Sequence, residues 1–145
     1  MKPDSTEAPS VVVVGDYYLG AFGPTILLTL REPDGPRWLH DLFVHLAANG
    51  RAIDLASEPM VRLENIGELQ LRLDPRLGPY LALNRLSKKE QPARFAWIAS
   101  SSGWMLQAGL LEPFIAGRSG HQYLTREGAD DALIEVSFGE SEVHA

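Results

Sequence analysis

Residues 95–125 constrain the fold of this chain most, because three structural patterns follow one another there. The apolar run 95–99 predicts a strand that is buried on both faces and central in its sheet. The serine cluster 100–102 follows and is typical of a helix start. Residues 104–116 are amphipathic and predict a helix, and residues 120–125 predict another strand. This strand–helix–strand unit indicates a domain that mixes α and β structure.

A second helix is predicted at residues 37–49. Its apolar residues recur at helical spacing and form one continuous stripe. Pro36 suits the first helical position, and Gly50 suits the residue just beyond the helix end. We therefore expect a helix that buries one face.

Strand patterns account for most of the remaining chain, at residues 11–19, 25–31, 61–73, 80–86 and 132–138. The first two lie on either side of a Gly- and Pro-containing turn and predict an antiparallel hairpin. Asn65 and Gly67 interrupt the alternation of residues 61–73, so this segment is either one long bulged strand or a hairpin. The expected fold class is α+β, with a mainly antiparallel sheet of about six or seven strands and two helices packed on one face.

A length of 145 residues is that of one ordinary domain, and we expect that domain to span residues 11–139. Residues 1–10 are polar and contain prolines, which predicts a disordered N-terminal tail. Residues 140–145 are predicted to form a frayed C-terminal tail.

Composition excludes several classes of function. The chain has no cysteine, which rules out disulfides and thiolate chemistry. The net charge of −6 argues against nucleic-acid binding and against anionic membrane surfaces, because both require a basic face. No apolar run reaches the roughly 20 residues of a membrane-spanning helix, and the N-terminus lacks a targeting pattern. We expect a cytoplasmic protein.

No catalytic, cofactor-binding or metal-binding residue is predicted. The serine cluster is better explained as a helix cap than as an anion site, because a phosphate loop needs more glycine and a lysine. A triad of one of these serines with His121 and Asp130 or Asp131 is not required by any spacing. His40 and His45 are five residues apart, whereas two metal ligands on one helix face are four apart.

The sequence predicts an interaction surface made of Trp104, Arg118, His121 and Tyr123, because Trp, Tyr and Arg dominate interface energetics and the last three lie near a chain reversal. For tryptophan, burial in the core is the common alternative. The leading functional hypothesis is a non-enzymatic domain that binds another protein. Because this chain is acidic, its partner can be a basic protein. A homo-oligomer built through an edge strand is a further possibility.

In size, acidity and α+β layout, the chain resembles small stand-alone bacterial proteins that bind one partner, including toxin-neutralising immunity proteins. This resemblance implies an immunity or inhibitor protein. The alternative is a small-molecule-binding protein or hydrolase-like enzyme with a pocket between sheet and helices near His121. That alternative requires His121, Tyr123 and the serine cluster to converge on one concave site.

Overall fold

The computed structural model describes residues 10–77, 81–124 and 131–139. These residues form nine strands and three α-helices, with 3-10 turns at Leu55–Ser57 and Pro75–Leu77. The helices are α1 (Gly35–Asn49), α2 (Ser101–Leu110) and α3 (Glu112–Ile115). The strands are β1 (Val13–Gly20), β2 (Gly23–Leu30), β3 (Ile53–Asp54), β4 (Val61–Glu64), β5 (Ile66–Leu73), β6 (Leu81–Arg85), β7 (Ala93–Ala99), β8 (Gly120–Tyr123) and β9 (Leu133–Phe138).

Five strands form one mixed sheet in the order β4-β1-β2-β9-β8. The β1–β2 pair is the predicted antiparallel hairpin, with Val13 opposite Leu30 and Gly20 opposite Gly23. On either side of the hairpin the neighbour is parallel, β4 beside β1 and β9 beside β2. The edge strand β8 runs antiparallel to β9. β9 is therefore inserted between two strands that precede it in the chain.

The other four strands form a second mixed sheet in the order β3-β5-β7-β6. β7 pairs with β5 in parallel and with β6 antiparallel, so it is central. Five of its seven residues are buried and the other two are partly buried, as the apolar run 95–99 predicts. The antiparallel β3 is only two residues long.

The α+β class is confirmed, but the predicted single, mainly antiparallel sheet with two helices is wrong in detail. The two sheets are mixed because three parallel pairs join strands that are not linked by a short turn. Local hydrophobic patterns reveal strands but not these long-range partners. The expected helix at residues 104–116 is divided into α2 and α3. Pro113 occupies the first turn of α3, where its missing N–H costs nothing, whereas it would interrupt a continuous helix.

The segment at residues 61–73 is neither one long strand nor a hairpin, although the register of β5 against β7 shifts between Ile66 and Glu68, where a bulge interrupts the pairing. Asn65 has a φ of 62° and separates β4, which belongs to the five-stranded sheet, from β5, which belongs to the four-stranded sheet. Its Nδ2 donates to Asp16 Oδ1 at 2.8 Å, which fixes the crossing against β1. Asparagine is among the few residues other than glycine that enter this left-handed region.

The predicted first helix is confirmed as α1. Pro36 lies in its first turn, and the left-handed Gly50, with a φ of 70°, donates its N–H to Leu46 O to close the helix. Gly35 begins the helix against the backbone of the five-stranded sheet. A Cβ placed on Gly35 would lie 2.7 Å from Val12 O, so this close approach requires glycine.

The core joins the inner faces of both sheets to the three helices. Phe43 of α1 and Trp104 of α2 both pack on Trp97 of β7, with ring centroids 5.4 and 5.1 Å away. Phe114 of α3 packs on Phe138 of β9 at 6.0 Å. The helices thus cover the inner side of each sheet and leave the opposite, outer face of the five-stranded sheet without a helix in the described part of the chain.

The single domain at residues 11–139 stays a prediction. The predicted terminal tails fall on residues 1–9 and 140–145, which lie outside the described residues, apart from the exposed Ser10.

Candidate functional site

The candidate site is the outer face of the five-stranded sheet, because its polar and aromatic side chains are brought into cross-strand rows. The strand registers and the alternation along each strand define two such rows. From β4 to β8, one row contains Glu64, Asp16, Leu27, Glu135 and Tyr123. The next row contains Arg62, Val14, Thr29, Ser137 and His121. Neighbouring positions in a row are about 5 Å apart, so these side chains act on one another.

The β1–β2 hairpin projects beyond its neighbours in the sheet. β4 pairs with β1 only as far as Asp16, and β9 pairs with β2 only from Thr25 onwards. At the projecting tip, Leu19 is 80% exposed and Phe22 is 67% exposed. These are large apolar side chains in a position where the core cannot cover them.

Two exposed tyrosines and one carboxylate lie beside this tip. Tyr18 of β1 and Tyr123 of β8 are 40% and 38% exposed, and Glu135 of β9 lies between them on the outer face. Leu19, which alternates with Tyr18 and so leaves the other side of β1, and Phe22 in the turn complete the exposed surface around the tip. Leu19, Phe22, Tyr18, Tyr123 and Glu135 together form the hairpin patch.

The hairpin patch is electrostatically negative. Partial burial raises the pKa of Tyr18, and the charge of Glu135 raises it further, with smaller effects from Tyr123 and Asp16. Each of these effects disfavours a second negative charge at the phenol oxygen. The same field favours a cation placed beside the two rings.

A concavity of about 260 Å³ lies on the same outer face, towards β4. Its lining comes from three adjacent strands and from the residue after β2, and consists of Val14, Asp16, Leu27, Thr29, Arg31, Arg62 and Glu64. The concavity therefore combines two guanidinium groups and two carboxylates around two aliphatic side chains.

The structure separates the four residues of the predicted interaction surface. Trp104 is completely buried, its Nε1 donates to Arg72 O at 2.9 Å, and its ring lies against Trp97 and Phe43. Trp104 therefore contributes to the core and not to a surface, which corrects that part of the prediction. The reason is that its helix presents this face to the four-stranded sheet.

The remaining three predicted surface residues are exposed. His121 and Tyr123 project from the same face of β8, with ring centroids 6.2 Å apart in an edge-to-face arrangement. Arg118 lies in the turn between α3 and β8. The structure thus brings His121 and Tyr123 together beside the hairpin patch, while their role as an interface stays a prediction.

The serine cluster is a helix cap, as expected. Ser100 Oγ accepts from the Gly103 N–H at 3.1 Å, and Ser101 Oγ donates to Ala47 O of α1 at 2.8 Å. The cluster does not line the concavity, and neither does His121. The described residues contain no group of three or more side chains suited to hold a metal ion.

The residues that sequence analysis missed are Arg31, Arg62, Asp16 and Glu64 at the concavity, and Leu19 and Phe22 at the hairpin tip. Alternation places the charged side chains on solvent-facing sides, but only the β1–β4 pairing brings them together. A signal for the tip was present, because Phe22 stands in a turn between Gly20 and Gly23, where apolar side chains are seldom buried.

Comparison with family models, with curated proteins and with solved structures finds no match to this chain. Within the described residues, every helix is too short or too polar to cross a membrane.

Proposed function

We propose that this chain is a cytoplasmic, non-enzymatic protein-binding domain, and that its partner presents a basic surface to the hairpin patch. An inhibitor or toxin-neutralising immunity protein is the most specific form of this proposal. The observation that carries it is the projecting hairpin tip, where Leu19 and Phe22 are exposed beside Tyr18 and Tyr123.

Apolar exposure at the tip supports a protein partner. Single exposed apolar residues are common, but two large ones at a projecting turn, with two tyrosines beside them, form a concentrated patch. Tyrosine is enriched among the residues that dominate binding energy, and apolar side chains become anchors when a partner removes water from them. The hairpin patch therefore supplies the centre of an interface.

Charge supports a basic partner. The chain has a net charge of −6, and Glu135 and Asp16 both act on the Tyr18 phenol. A lysine or arginine from a partner would meet a carboxylate and two aromatic rings at this position. Such complementarity raises association rates and excludes acidic partners. His121 and Arg118 would then lie at the rim.

The geometry favours protein binding over the alternative of a pocket near His121. The concavity on this face lies towards β4, at the opposite edge of the sheet from β8. Ser100 caps α2, and the serine cluster does not line this concavity. That His121 and the serine cluster both lie away from this concavity supports protein binding over a hydrolase-like site.

The proposal is tested by capture and direct binding. The tagged wild-type chain, the double variant Phe22→Ser/Tyr123→Ser and the control Glu112→Gln are expressed in the native host. A protein retained by wild type and control but lost from the double variant is purified, and its affinity is measured by calorimetry at low and physiological salt. We expect each patch substitution to weaken binding by about 30-fold, the effect of a 2 kcal/mol hot spot.

Two results would overturn the proposal. One is a purified candidate partner that binds the double variant as tightly as the wild type, or whose affinity does not fall as salt increases. The other is a wild-type self-complex that the patch substitutions dissociate in size-exclusion chromatography, because the occupant would then be a second copy of this acidic chain.

A further inference from the structure

The concavity near β4 has charges of opposite sign at its two ends. Arg62 and Glu64 belong to β4, two residues apart, and lie beside Val14 and Asp16 of β1. Arg31 follows β2 and lies on the same face as Thr29, at the end of Arg62. The concavity is therefore cationic at the end of Arg31 and Arg62 and anionic at the end of Asp16 and Glu64.

The anionic end has one nearby cation, Arg62, which forms a long ion pair with Glu64 and leaves Asp16 without a cation among the described residues. Asp16 and Glu64 are directly opposite each other in the β1–β4 pair, and facing like charges destabilise a sheet. Asp16 receives one neutral hydrogen bond, from Asn65 Nδ2 at 2.8 Å. Arg62 Nε lies 3.7 Å from Glu64 Oε2, which is longer than a hydrogen bond. An ammonium group placed between the two carboxylates would relieve their repulsion.

The cationic end has the complementary requirement. Arg31 is half-buried, and its side chain makes no hydrogen bond or ion pair within residues 10–77, 81–124 and 131–139. Among the described residues, the Arg62 side chain makes one polar contact, the long ion pair with Glu64. A guanidinium group offers paired donors that match the two oxygens of a carboxylate. A ligand carboxylate would therefore bind between Arg31 and Arg62.

The two ends are close enough for one small ligand. Positions two residues apart on a strand are separated by about 6.6 Å, and the long side chains of the arginines shorten the gap. Val14 and Leu27 provide an aliphatic surface between the ends. The volume of about 260 Å³ lies just below the range of roughly 300–1,000 Å³ that is usual for ligand sites.

We propose that this concavity binds a small zwitterion, an α-amino acid with an apolar side chain. The carboxylate binds Arg31 and Arg62, the ammonium group binds Asp16 and Glu64, and the side chain lies on Val14 and Leu27. This site contains none of the five residues of the hairpin patch, although Asp16 also acts on Tyr18, and it does not depend on the proposed protein partner.

Calorimetry on the purified chain tests this site with alanine, valine, leucine and methionine, each at up to about 10 mM, so that dissociation constants on the order of 1 mM are resolved. We expect saturable one-to-one binding by at least one of them and a rise in melting temperature. Two analogues of leucine are the decisive probes. Isopentylamine lacks the carboxylate and 4-methylpentanoate lacks the ammonium group, and both are expected to bind at least about tenfold more weakly.

Arg31→Gln and Glu64→Gln each remove one charge from the concavity and are expected to weaken amino-acid binding by about tenfold or more. Their matched controls are Arg37→Gln and Glu112→Gln, which change exposed residues on α1 and α3. The unliganded melting temperature of each variant shows that it remains folded. Phe22→Ser is expected to leave amino-acid binding intact, which separates this site from the hairpin patch.

The proposal is overturned if none of the four amino acids binds, or if either leucine analogue binds as well as leucine. If none of the amino acids binds, the concavity is not an amino-acid site. If an analogue binds as well as leucine, only one charged end of the concavity contributes to binding. If the Arg31→Gln and Glu64→Gln variants both bound with wild-type affinity, the amino acid would bind elsewhere on the protein and the proposal would also be overturned.

Discussion

At the scale of a single residue, the pKa of Tyr18 is sensitive to the charges on the outer face of the five-stranded sheet. It lies on β1, while the carboxylate with the largest effect on its pKa, Glu135, lies on β9, and β2 runs between them. The two were brought together by a parallel pairing, β2 with β9, that joins distant parts of the chain. The ionisation of one phenol therefore measures whether this arrangement and its negative field exist in solution.

Glu135→Gln is expected to lower the pKa of Tyr18 towards the ordinary value of 10.0, without reaching it, because partial burial remains the largest cause of the shift. A raised phenol pKa stabilises the fold below the unfolded pKa, and this contribution is lost as pH rises through the folded pKa. The substitution therefore also reduces the loss of stability at alkaline pH. An NMR titration of the Tyr18 ring checks the shift, and an unchanged titration would contradict the position given to Glu135.

The cap at Ser100 provides a second test at this scale. Ser100→Ala removes the acceptor for the Gly103 N–H and is expected to lower the free energy of unfolding by about 1 kcal/mol. Ser100→Gly removes the same oxygen but suits a cap conformation, so its cost is expected to be smaller. Urea denaturation measures both variants. If alanine were tolerated as well as glycine, the cap would not hold the start of α2.

At the scale of the element, Trp104 attaches α2 to the four-stranded sheet by both packing and a hydrogen bond. Trp104 packs on Trp97 and Phe43, and its indole N–H reaches the backbone of β5. Trp104 was predicted to lie at an interface but is buried in the core, because tryptophan is common in both places. Burial alone distinguishes the two roles, and burial depends on which way the helix faces.

Truncation of Trp104 is expected to be severe. Trp104→Ala should lower the free energy of unfolding by about 3–5 kcal/mol, because it leaves a cavity between α2 and β7. Trp104→Phe retains a ring but loses the hydrogen bond to Arg72 O, and is expected to cost about 1–3 kcal/mol. Chemical denaturation gives both values. Stability equal to wild type in the alanine variant would exclude the buried placement.

A charged cluster on β5 and β7 gives a pH-dependent prediction. The Gln70 amide and the Arg94 guanidinium both donate to Glu68, and together they hold the pKa of the Glu68 carboxyl below its usual 4.5. A lowered carboxyl pKa stabilises the fold above the unfolded pKa, and this contribution is lost as pH falls through the folded pKa.

Glu68→Gln is therefore expected to cost up to about 1 kcal/mol at neutral pH, the upper range for a pair at the surface. The difference from wild type should shrink as pH falls below about 4.5. Denaturation at a series of pH values measures this difference, with Glu112→Gln as the control. A difference that stays constant down to low pH would show that the Glu68 charge is not involved.

Local signals explain which elements the sequence predicts correctly. The hairpin, α1, β7 and the Ser100 cap depend on neighbours within a few residues, and all four are confirmed. The sequence did not predict that the chain passes from one sheet to the other at Asn65, or that the helix at residues 104–116 is divided near Pro113. In both places a continuous local pattern covers two separate elements. His121 and Tyr123 were identified on an exposed strand, whereas Arg31 and Arg62 could not be, because the pairing of β4 with β1 is not encoded locally.

At the scale of the whole molecule, the fold divides its surfaces into a covered side and an open side. The helices and both inner faces enclose the core. The outer face of the five-stranded sheet carries Tyr18, Tyr123 and Glu135 of the hairpin patch near one end and the concavity near β4 towards the other. Two sites on one rigid sheet can be altered separately. Substitutions at the hairpin tip therefore test function with little effect on the fold.

The double variant Leu19→Ser/Phe22→Ser is expected to change the free energy of unfolding by less than about 0.5 kcal/mol, because both side chains are mostly exposed in the folded protein. It should also raise solubility, since it removes the apolar surface at the tip. Urea denaturation and the protein concentration at which precipitation begins check the two effects. A large loss of stability would place these side chains in a covered position.

The position of β9 has a consequence for how the protein folds. β2 finds its partner β9 roughly one hundred residues later in the chain, and β8 has no neighbour in the sheet until β9 is inserted. During synthesis the hairpin would emerge well before β9 and keep one edge unpaired until roughly one hundred further residues had been made. An unpaired apolar strand edge promotes aggregation. The time until β9 pairs with β2 therefore determines how long the newly made protein is prone to aggregate.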